Sequence, residues 1–124
     1  MILHVPVSVG EYCDKLTILA IKAKRIEDPG KREQVLREMS SLHAVRPALS
    51  PEVIGMMTAL SAVNEQLWDV EDDIRDFEKR QDFGSQFVET ARSVYRLNDR
   101  RASIKQRINH ESGSYLSEQK EYGS

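Results

Sequence analysis

The sequence predicts an all-α protein, an antiparallel up-down bundle of about four helices. Three observations indicate this fold class. Apolar residues recur at every seventh position, in two interleaved sets, across residues 53–77, which is typical of a helix that packs along its length against other helices. The segment after residue 84 begins with the same alternation of four-residue and three-residue spacing. Proline and glycine separate these segments at intervals that suit helices.

The chain begins with an apolar segment and a helix start signal. Residues 2–7 predict a short extended arm or an edge strand, because they alternate weakly and include a proline, which lacks a backbone donor. Ser8 and Glu11 have the spacing of a capping box, in which the hydroxyl and the carboxylate each accept a hydrogen bond from a backbone N–H group. Helix 1 is therefore expected over residues 9–27, where Asp-Pro-Gly at 28–30 ends it.

Helix 2 is expected to be short and to be the least stable element. It should span residues 31–45, between the preceding glycine and the Arg-Pro pair at 46–47. Helical spacing predicts four apolar residues on its inner face: Val35, Leu36, Met39 and Leu42.

Helices 3 and 4 are expected to form a long antiparallel hairpin. Ser50 is the predicted N-cap of helix 3, which should span residues 51–80 with a proline at its first position. After a turn at 81–84, Ser85 is predicted to cap helix 4, which should end at residue 110. The short turn makes the two helices antiparallel neighbours, with helices 1 and 2 packed against them.

Helix 3 is too long to be covered by the other predicted helices. At 1.5 Å per residue it is roughly 45 Å long, so its apolar seam should extend past helix 2. A second copy of the chain is the simplest cover, and a homodimer is therefore expected. Two residues of helix 1 outside its main apolar stripe, Ile18 and Ile21, also need cover. The seam of helix 3 consists of Val53, Leu60, Leu67 and Ile74 with Met56, Val63, Val70 and Phe77.

Length and charge allow one small domain and exclude several classes of partner. The 124 residues are expected to form a single domain at 1–110 and a polar, flexible tail at 111–124, whose Tyr115, Leu116 and Tyr122 would be ordered only against a partner. The net charge of -2 gives no overall attraction to nucleic acid or to an anionic membrane. No apolar stretch approaches the roughly 20 residues that cross a bilayer.

Cysteine usage indicates a reducing compartment. The single cysteine, Cys13, cannot form an internal disulfide, and the first ten residues lack the basic start and long apolar run of a signal peptide. A cytoplasmic location is therefore expected. Cys13 itself is interpreted as a small buried hydrophobe, because no histidine or second cysteine lies near it in the sequence.

Helix 4 is the one place where the apolar seam turns polar. Polar groups at such positions are costly to bury without partners, so they mark either a site or a structural network. Helix 3 carries a flanking stripe that could supply those partners, and a symmetric hairpin would bring its Glu71 near Asn98 and its Asn64 near Arg101. The seam of helix 4 runs through Phe87, Ala91, Val94, Asn98, Arg101, Lys105 and Ile108.

Two interpretations of the polar seam remain open. In the functional one, a pocket between helices binds an anionic ligand through cationic side chains, while Asn98 and Glu71 orient it. In the structural one, which we favour, the same residues form a satisfied network of ion pairs and amides that fixes helix register. The cationic candidates are Arg101, Lys105, Arg75 and Lys15.

Other chemistry has little support in the sequence. The acidic run at 69–76 is interpreted as a solvated face rather than a divalent cation site, and the basic run at 96–107 is spread around its helix and does not indicate nucleic-acid binding. No metal site is expected, because His4, His43 and His110 lack ligand spacing. No phosphate loop or nucleophile elbow is present, so no cofactor is expected.

Three segments resemble a bacterial family of uncharacterised proteins, domain of unknown function 6165. They are PVSVGEYCDKLTILAIKAKRI near the start, AVNEQLWDVEDDIRDFE in helix 3 and ARSVYRLNDRRASIKQRIN in helix 4, and together they cover nearly half of the chain. The resemblance implies no activity, cofactor or catalytic residue. Because some members are segments of longer proteins associated with glycosyltransferases or sugar-modifying enzymes, it does imply a link to sugar or surface polysaccharide metabolism.

Two functions from different classes follow. The favoured one is a noncatalytic, dimeric helical interaction module that engages another protein. The alternative is a small-ligand-binding protein or a small helical enzyme acting on an anionic metabolite, with Arg101 and Lys105 as charge clamps and Glu71 as the base. Whether the chain is an enzyme stays open.

Overall fold

The computed structural model describes residues 1–114, and within them the chain is all-α, as predicted. Residues 1–7 lie outside regular secondary structure and are exposed, which agrees with an arm and leaves no edge strand in the described part of the chain. Tyr115, Leu116 and Tyr122, expected in the tail, lie outside the described residues. The helices are α1 (Val9–Arg25), α2 (Pro29–Val45), α3 (Pro51–Arg80) and α4 (Ser85–Ser112).

Three helices begin with the side-chain caps that the sequence supplies. The hydroxyl of Ser8 accepts a hydrogen bond from the backbone N–H of Glu11 at 3.0 Å, and Ser50 caps α3 in the same way at 3.2 Å. Asp28 caps α2, so that helix begins at Pro29, two residues before the predicted start. The same Asp-Pro-Gly triplet that separates the two helices therefore also starts the second one.

Three further helix ends differ from the predictions by one or two residues: the end of α1 and both ends of α4. α1 ends at Arg25, two residues early, and α4 continues two residues past residue 110 to Ser112. The prediction that Ser85 caps α4 is wrong: Ser85 is the first helical residue, and Gly84 occupies the cap position without a side-chain hydrogen bond. Gly113 ends α4 with φ of 65°, a conformation that glycine adopts at little cost.

The core lies where α1 crosses the α3/α4 hairpin. α1 packs against all three other helices, whereas α2 packs against α1 alone among the helices. The hydroxyl of Tyr12 on α1 donates to the backbone oxygen of Leu42 at 2.8 Å, which ties α2 to the core. The buried apolar cluster consists of Tyr12, Cys13, Val53, Leu60 and Ile108.

The predicted inner face of α2 is too wide. Val35 is buried and Met39 and Leu42 are partly buried, but Leu36 is 47% exposed. A helix that packs against a single neighbour buries only a narrow stripe, and Leu36 lies outside it.

The heptad seam of α3 is confirmed, but its burial falls along the helix. Val53, Leu60 and Val63 are buried, whereas every seam position from Leu67 onward is only partly buried. The cause is the path of α1, which starts against α4 and ends with Arg25 paired to Glu65 and Asp69 of α3.

Beyond those contacts the α3/α4 hairpin continues as two helices, and residues 70–96 are called the projecting hairpin below. Its tip is closed by edge-to-face contacts of the Phe87 ring with Phe77 and Phe83, with ring centroids 6.0 and 5.2 Å apart. None of the helices in residues 1–114 combines the length and apolarity needed to cross a membrane.

Candidate functional site

The polar seam of α4 meets a buried carboxylate on α1. Asp14 is only 1% exposed. The Nε of Arg101 lies 2.9 and 3.1 Å from its two carboxylate oxygens, and Nη2 of Arg101 also donates to Oδ2. The side-chain amide of Asn64 donates to Oδ1 at 3.0 Å. Three helices therefore converge on one carboxylate.

Further polar groups extend this arrangement on both sides. Nζ of Lys105 lies 2.7 Å from Oε2 of Glu11 and 3.7 Å from Oδ2 of Asp14. The Asn64 amide also donates to the Thr17 hydroxyl at 3.1 Å. Among residues 1–114, every buried side-chain nitrogen and oxygen has a hydrogen-bond partner. We call this group the Asp14 network; its members are Glu11, Asp14, Thr17, Asn64, Arg101 and Lys105.

Glu11 does not complete the predicted capping box. The Ser8 hydroxyl accepts its hydrogen bond as expected. The Glu11 carboxylate, however, accepts a hydrogen bond from Lys105 and not from a backbone N–H at the start of α1. A carboxylate forms a stronger hydrogen bond with a charged donor than with a neutral backbone N–H. The first turn of α1 is thereby tied to α4.

A close approach of α1 to α4 places Asp14 at the seam. The backbone N–H of Gly10 donates to Oδ1 of Asn109 at 2.7 Å. A Cβ atom added at Gly10 would lie 2.5 Å from the backbone oxygen of Lys105. Only glycine allows this separation, and Asp14, one turn further along α1, then reaches Arg101.

The Asp14 network keeps its central carboxylate charged. Burial by itself would raise the pKa of Asp14, but hydrogen bonds from Arg101 and Asn64 and the charges of Arg101 and Lys105 outweigh burial and lower it. The adjacent Cys13 behaves oppositely. Its burial, together with the Asp14 charge, raises its pKa to about 11, so it is a neutral thiol at ordinary pH.

Beside the network, α1, α3 and α4 enclose an open cleft of about 430 Å³, called the inter-helix cleft below. Four of the six predicted site residues line it: Glu71, Arg75, Asn98 and Arg101. Asn98 and Glu71 line the same cleft, and Arg101 and Asn64 both donate to Oδ1 of Asp14, which agrees with the expected pairing of α3 and α4.

The two other predicted site residues lie elsewhere. Lys105 is buried in the Asp14 network, where Glu11 and Asp14 balance its charge. Lys15 is exposed beside a neighbouring hollow of about 230 Å³ between α1, α2 and α4. Arg101 lines both spaces and so forms part of the wall between them.

Several residues of the site were missed by sequence reasoning. Asp14 precedes Ile18 by four residues and Ile21 by seven, so it lies on the helix face that was predicted to need cover. A carboxylate on a face that must be buried needs a cationic partner, and this was the sequence signal that could have identified Asp14. Asn64 had been expected beside Arg101. The cleft-lining residues that had not been proposed as site members are Ile18, Ile21, Lys22, Leu67, Trp68 and Asp72.

The described residues hold no group of three or more histidine, cysteine, aspartate or glutamate side chains placed to bind a metal ion. The arrangement can instead hold a small polar molecule in the cleft, or it can serve only to fix three helices. Arg101, which lines the cleft, already has its charge balanced by Asp14. That balance weakens the interpretation of Arg101 and Lys105 as charge clamps for a reaction.

Comparison with known proteins identifies a family and gives no activity. The sequence matches the model of the family described as "Family of unknown function (DUF6165)" over residues 3–124. No curated protein and no solved structure matches the chain.

Proposed function

The chain belongs to the family of unknown function DUF6165, and from its own geometry we propose that it is a noncatalytic interaction module that works as a homodimer. One observation carries the proposal: three large apolar side chains of the projecting hairpin remain exposed, namely Phe83 (48%), Val88 (50%) and Tyr95 (53%). Two packed helices alone bury too little apolar surface to be stable, and a second hairpin completes a four-helix arrangement.

An exposed stripe on α4 favours the packing of a helix from a second copy. Val88 and Tyr95 are spaced by seven residues and are 50% and 53% exposed. Further along the same stripe, Asn109 is covered by α1 through Gly10. The partner helix would thus occupy, on the projecting hairpin, the position that α1 occupies nearer the core.

Charge supports contact between unlike helices of the two copies. Residues 69–80 of α3 carry six acidic and three basic side chains, whereas residues 85–100 of α4 carry two acidic and three basic ones. A two-fold symmetric dimer that places α3 of one copy against α4 of the other brings opposite charges together.

The test compares two exposed apolar residues at opposite ends of the hairpin. Val88→Asp alters the projecting hairpin, and Ile54→Asp alters a similarly exposed position of α3 nearer the core. Sedimentation velocity should give a dimer for the wild type and for Ile54→Asp, and a monomer for Val88→Asp. Circular dichroism would show that both variants remain helical. A wild type that stays monomeric at every concentration would refute the dimer.

A second function, ligand binding, is favoured by the inter-helix cleft. Its volume of about 430 Å³ falls within the range of small-molecule sites, and apolar and charged side chains line it together. The dimer and the ligand site are compatible, because the cleft lies between α1 and the base of the projecting hairpin.

A further inference from the structure

The charges in the inter-helix cleft do not match a simple anion. Lys22, Arg75 and Arg101 supply positive charge, but Glu71 and Asp72 line the same space. Arg101 is bound to Asp14, and Nη1 of Arg75 lies 4.0 Å from a carboxylate oxygen of Asp72. A ligand with only negative charge would approach Glu71 without compensation.

Two charged residues of opposite sign remain in the cleft. Lys22 on α1 and Glu71 on α3 make no ion pair within residues 1–114, and both line the cleft; Lys22 also borders the neighbouring hollow between α1, α2 and α4. Such groups can bind the carboxylate and the ammonium group of a zwitterion. Asn98 adds an amide whose oxygen lies 3.4 Å from Nη1 of Arg101, and its NH₂ group makes no hydrogen bond to the described residues.

The remaining lining is apolar. Ile18 and Ile21 contribute from α1, and Leu67 and Trp68 contribute from α3. The guanidinium of Arg25 lies 5.8 Å from the centre of the Trp68 ring and is held by Glu65 and Asp69, so the ring has a fixed neighbour on one side. The cleft therefore combines an apolar wall with one cation and one anion that make no ion pair within the described residues.

We propose that the inter-helix cleft binds an apolar α-amino acid. Its carboxylate lies between Lys22 and the Asn98 amide, its ammonium group meets Glu71, and its side chain packs on Leu67 and Trp68. This inference rests on the ligand-binding function above and narrows the predicted anionic metabolite to a molecule that carries both charges.

The experiment uses isothermal titration calorimetry on the full chain with phenylalanine and leucine as probes. Two analogues each remove one charge: 3-phenylpropanoate lacks the ammonium group and phenethylamine lacks the carboxylate. Phenylalanine should bind at least tenfold more tightly than either analogue. Lys22→Met and Glu71→Gln should each weaken phenylalanine binding at least tenfold. The matched controls, Lys31→Met and Asp73→Asn, change exposed charges outside the cleft and should leave binding unchanged.

The variants should also change how the protein discriminates between the probes. Glu71→Gln should bind phenylalanine and 3-phenylpropanoate with similar affinity, because the ammonium group then has no partner. Lys22→Met should similarly remove the preference for phenylalanine over phenethylamine. A structural role for either residue would change stability without producing these matched losses of discrimination.

Two results would overturn the inference. One is no binding of any apolar amino acid at millimolar concentration, and the other is 3-phenylpropanoate binding as tightly as phenylalanine, which would restore a purely anionic ligand. The association state of the same samples, measured by sedimentation velocity, separates this inference from the dimer. If the protein is a dimer that binds no amino acid, only the ligand-binding proposal is refuted. If it is a monomer that binds one, only the dimer proposal is refuted.

Discussion

Asp14 on α1 and Arg101 on α4 form a bidentate ion pair across 87 residues of sequence, with the Asp14 side chain 1% exposed and the Arg101 side chain 30% exposed. The pair is the point at which α1, α3 and α4 meet, since Asn64 of α3 donates to the same carboxylate. One contact therefore serves the fold and also forms a wall of the inter-helix cleft.

Removing the guanidinium should destabilise the protein. Arg101→Ala leaves the buried Asp14 with Asn64 and with Lys105, whose Nζ is 3.7 Å away. We expect a loss of about 2 to 3 kcal/mol, less than for a fully buried pair because Arg101 is partly exposed. Urea unfolding measures the loss. Arg100→Ala, at an exposed neighbouring position, is the control and should change stability by less than about 0.5 kcal/mol. Equal stability of Arg101→Ala and wild type would exclude a structural role for the pair.

Stability should depend on acid pH through Asp14. Because its pKa is lower in the folded protein than in the unfolded chain, its contribution is present above the unfolded pKa of about 4 and is lost as the pH falls through the folded pKa. The difference in unfolding free energy between wild type and Asp14→Asn should therefore be largest near pH 7 and shrink below about pH 4. Asp73→Asn controls for the substitution at an exposed site. If the difference in unfolding free energy between wild type and Asp14→Asn grows as the pH falls, the predicted direction of the pH dependence is wrong.

The sequence predicted the helices well because their boundaries depend on nearby residues. Ser50 and Pro51 define the start of α3, and the predicted span 51–80 is the observed one. The start of α2 was misplaced because Asp28 acts as a cap for the following helix, whereas its triplet was interpreted only as a stop. Such errors of two residues do not alter the fold.

The site was only half predicted because its central residue acts over long distances. The seam rhythm located Asn98, Arg101 and Lys105, and hairpin symmetry located Asn64 and Glu71. Asp14, however, meets partners 50 and 87 residues away, and its role depends on how α1 crosses the hairpin. No local pattern specifies that crossing. Gly10 allows it, but glycine also occurs in the first turn of helices that make no close approach, so its presence there does not predict one.

Cys13 should resist thiol reagents in the folded protein. Its side chain is fully buried, and its pKa is raised to about 11, so both access and the thiolate fraction are low at pH 8. Labelling with a chromogenic disulfide should proceed only through opening of the core, and the same chain in guanidinium chloride gives the rate for an accessible thiol. Native labelling within tenfold of the denatured rate would show that the α1 core opens readily.

Gly10 and Gly55 should respond oppositely to the same substitution. At Gly10 the new Cβ would lie 2.5 Å from the backbone oxygen of Lys105, which cannot move without shifting α4, so Gly10→Ala should cost about 1 to 3 kcal/mol. Gly55 lies within α3 with nothing within 4 Å of an added Cβ, so Gly55→Ala should stabilise the protein by about 0.5 to 1 kcal/mol through helix propensity. Urea unfolding of both variants measures whether the free energy of unfolding falls for Gly10→Ala and rises for Gly55→Ala. Stabilisation by Gly10→Ala would mean that α1 does not approach α4 this closely. The contacts of the Asp14 network between α1 and α4 would then lack the geometry that they require.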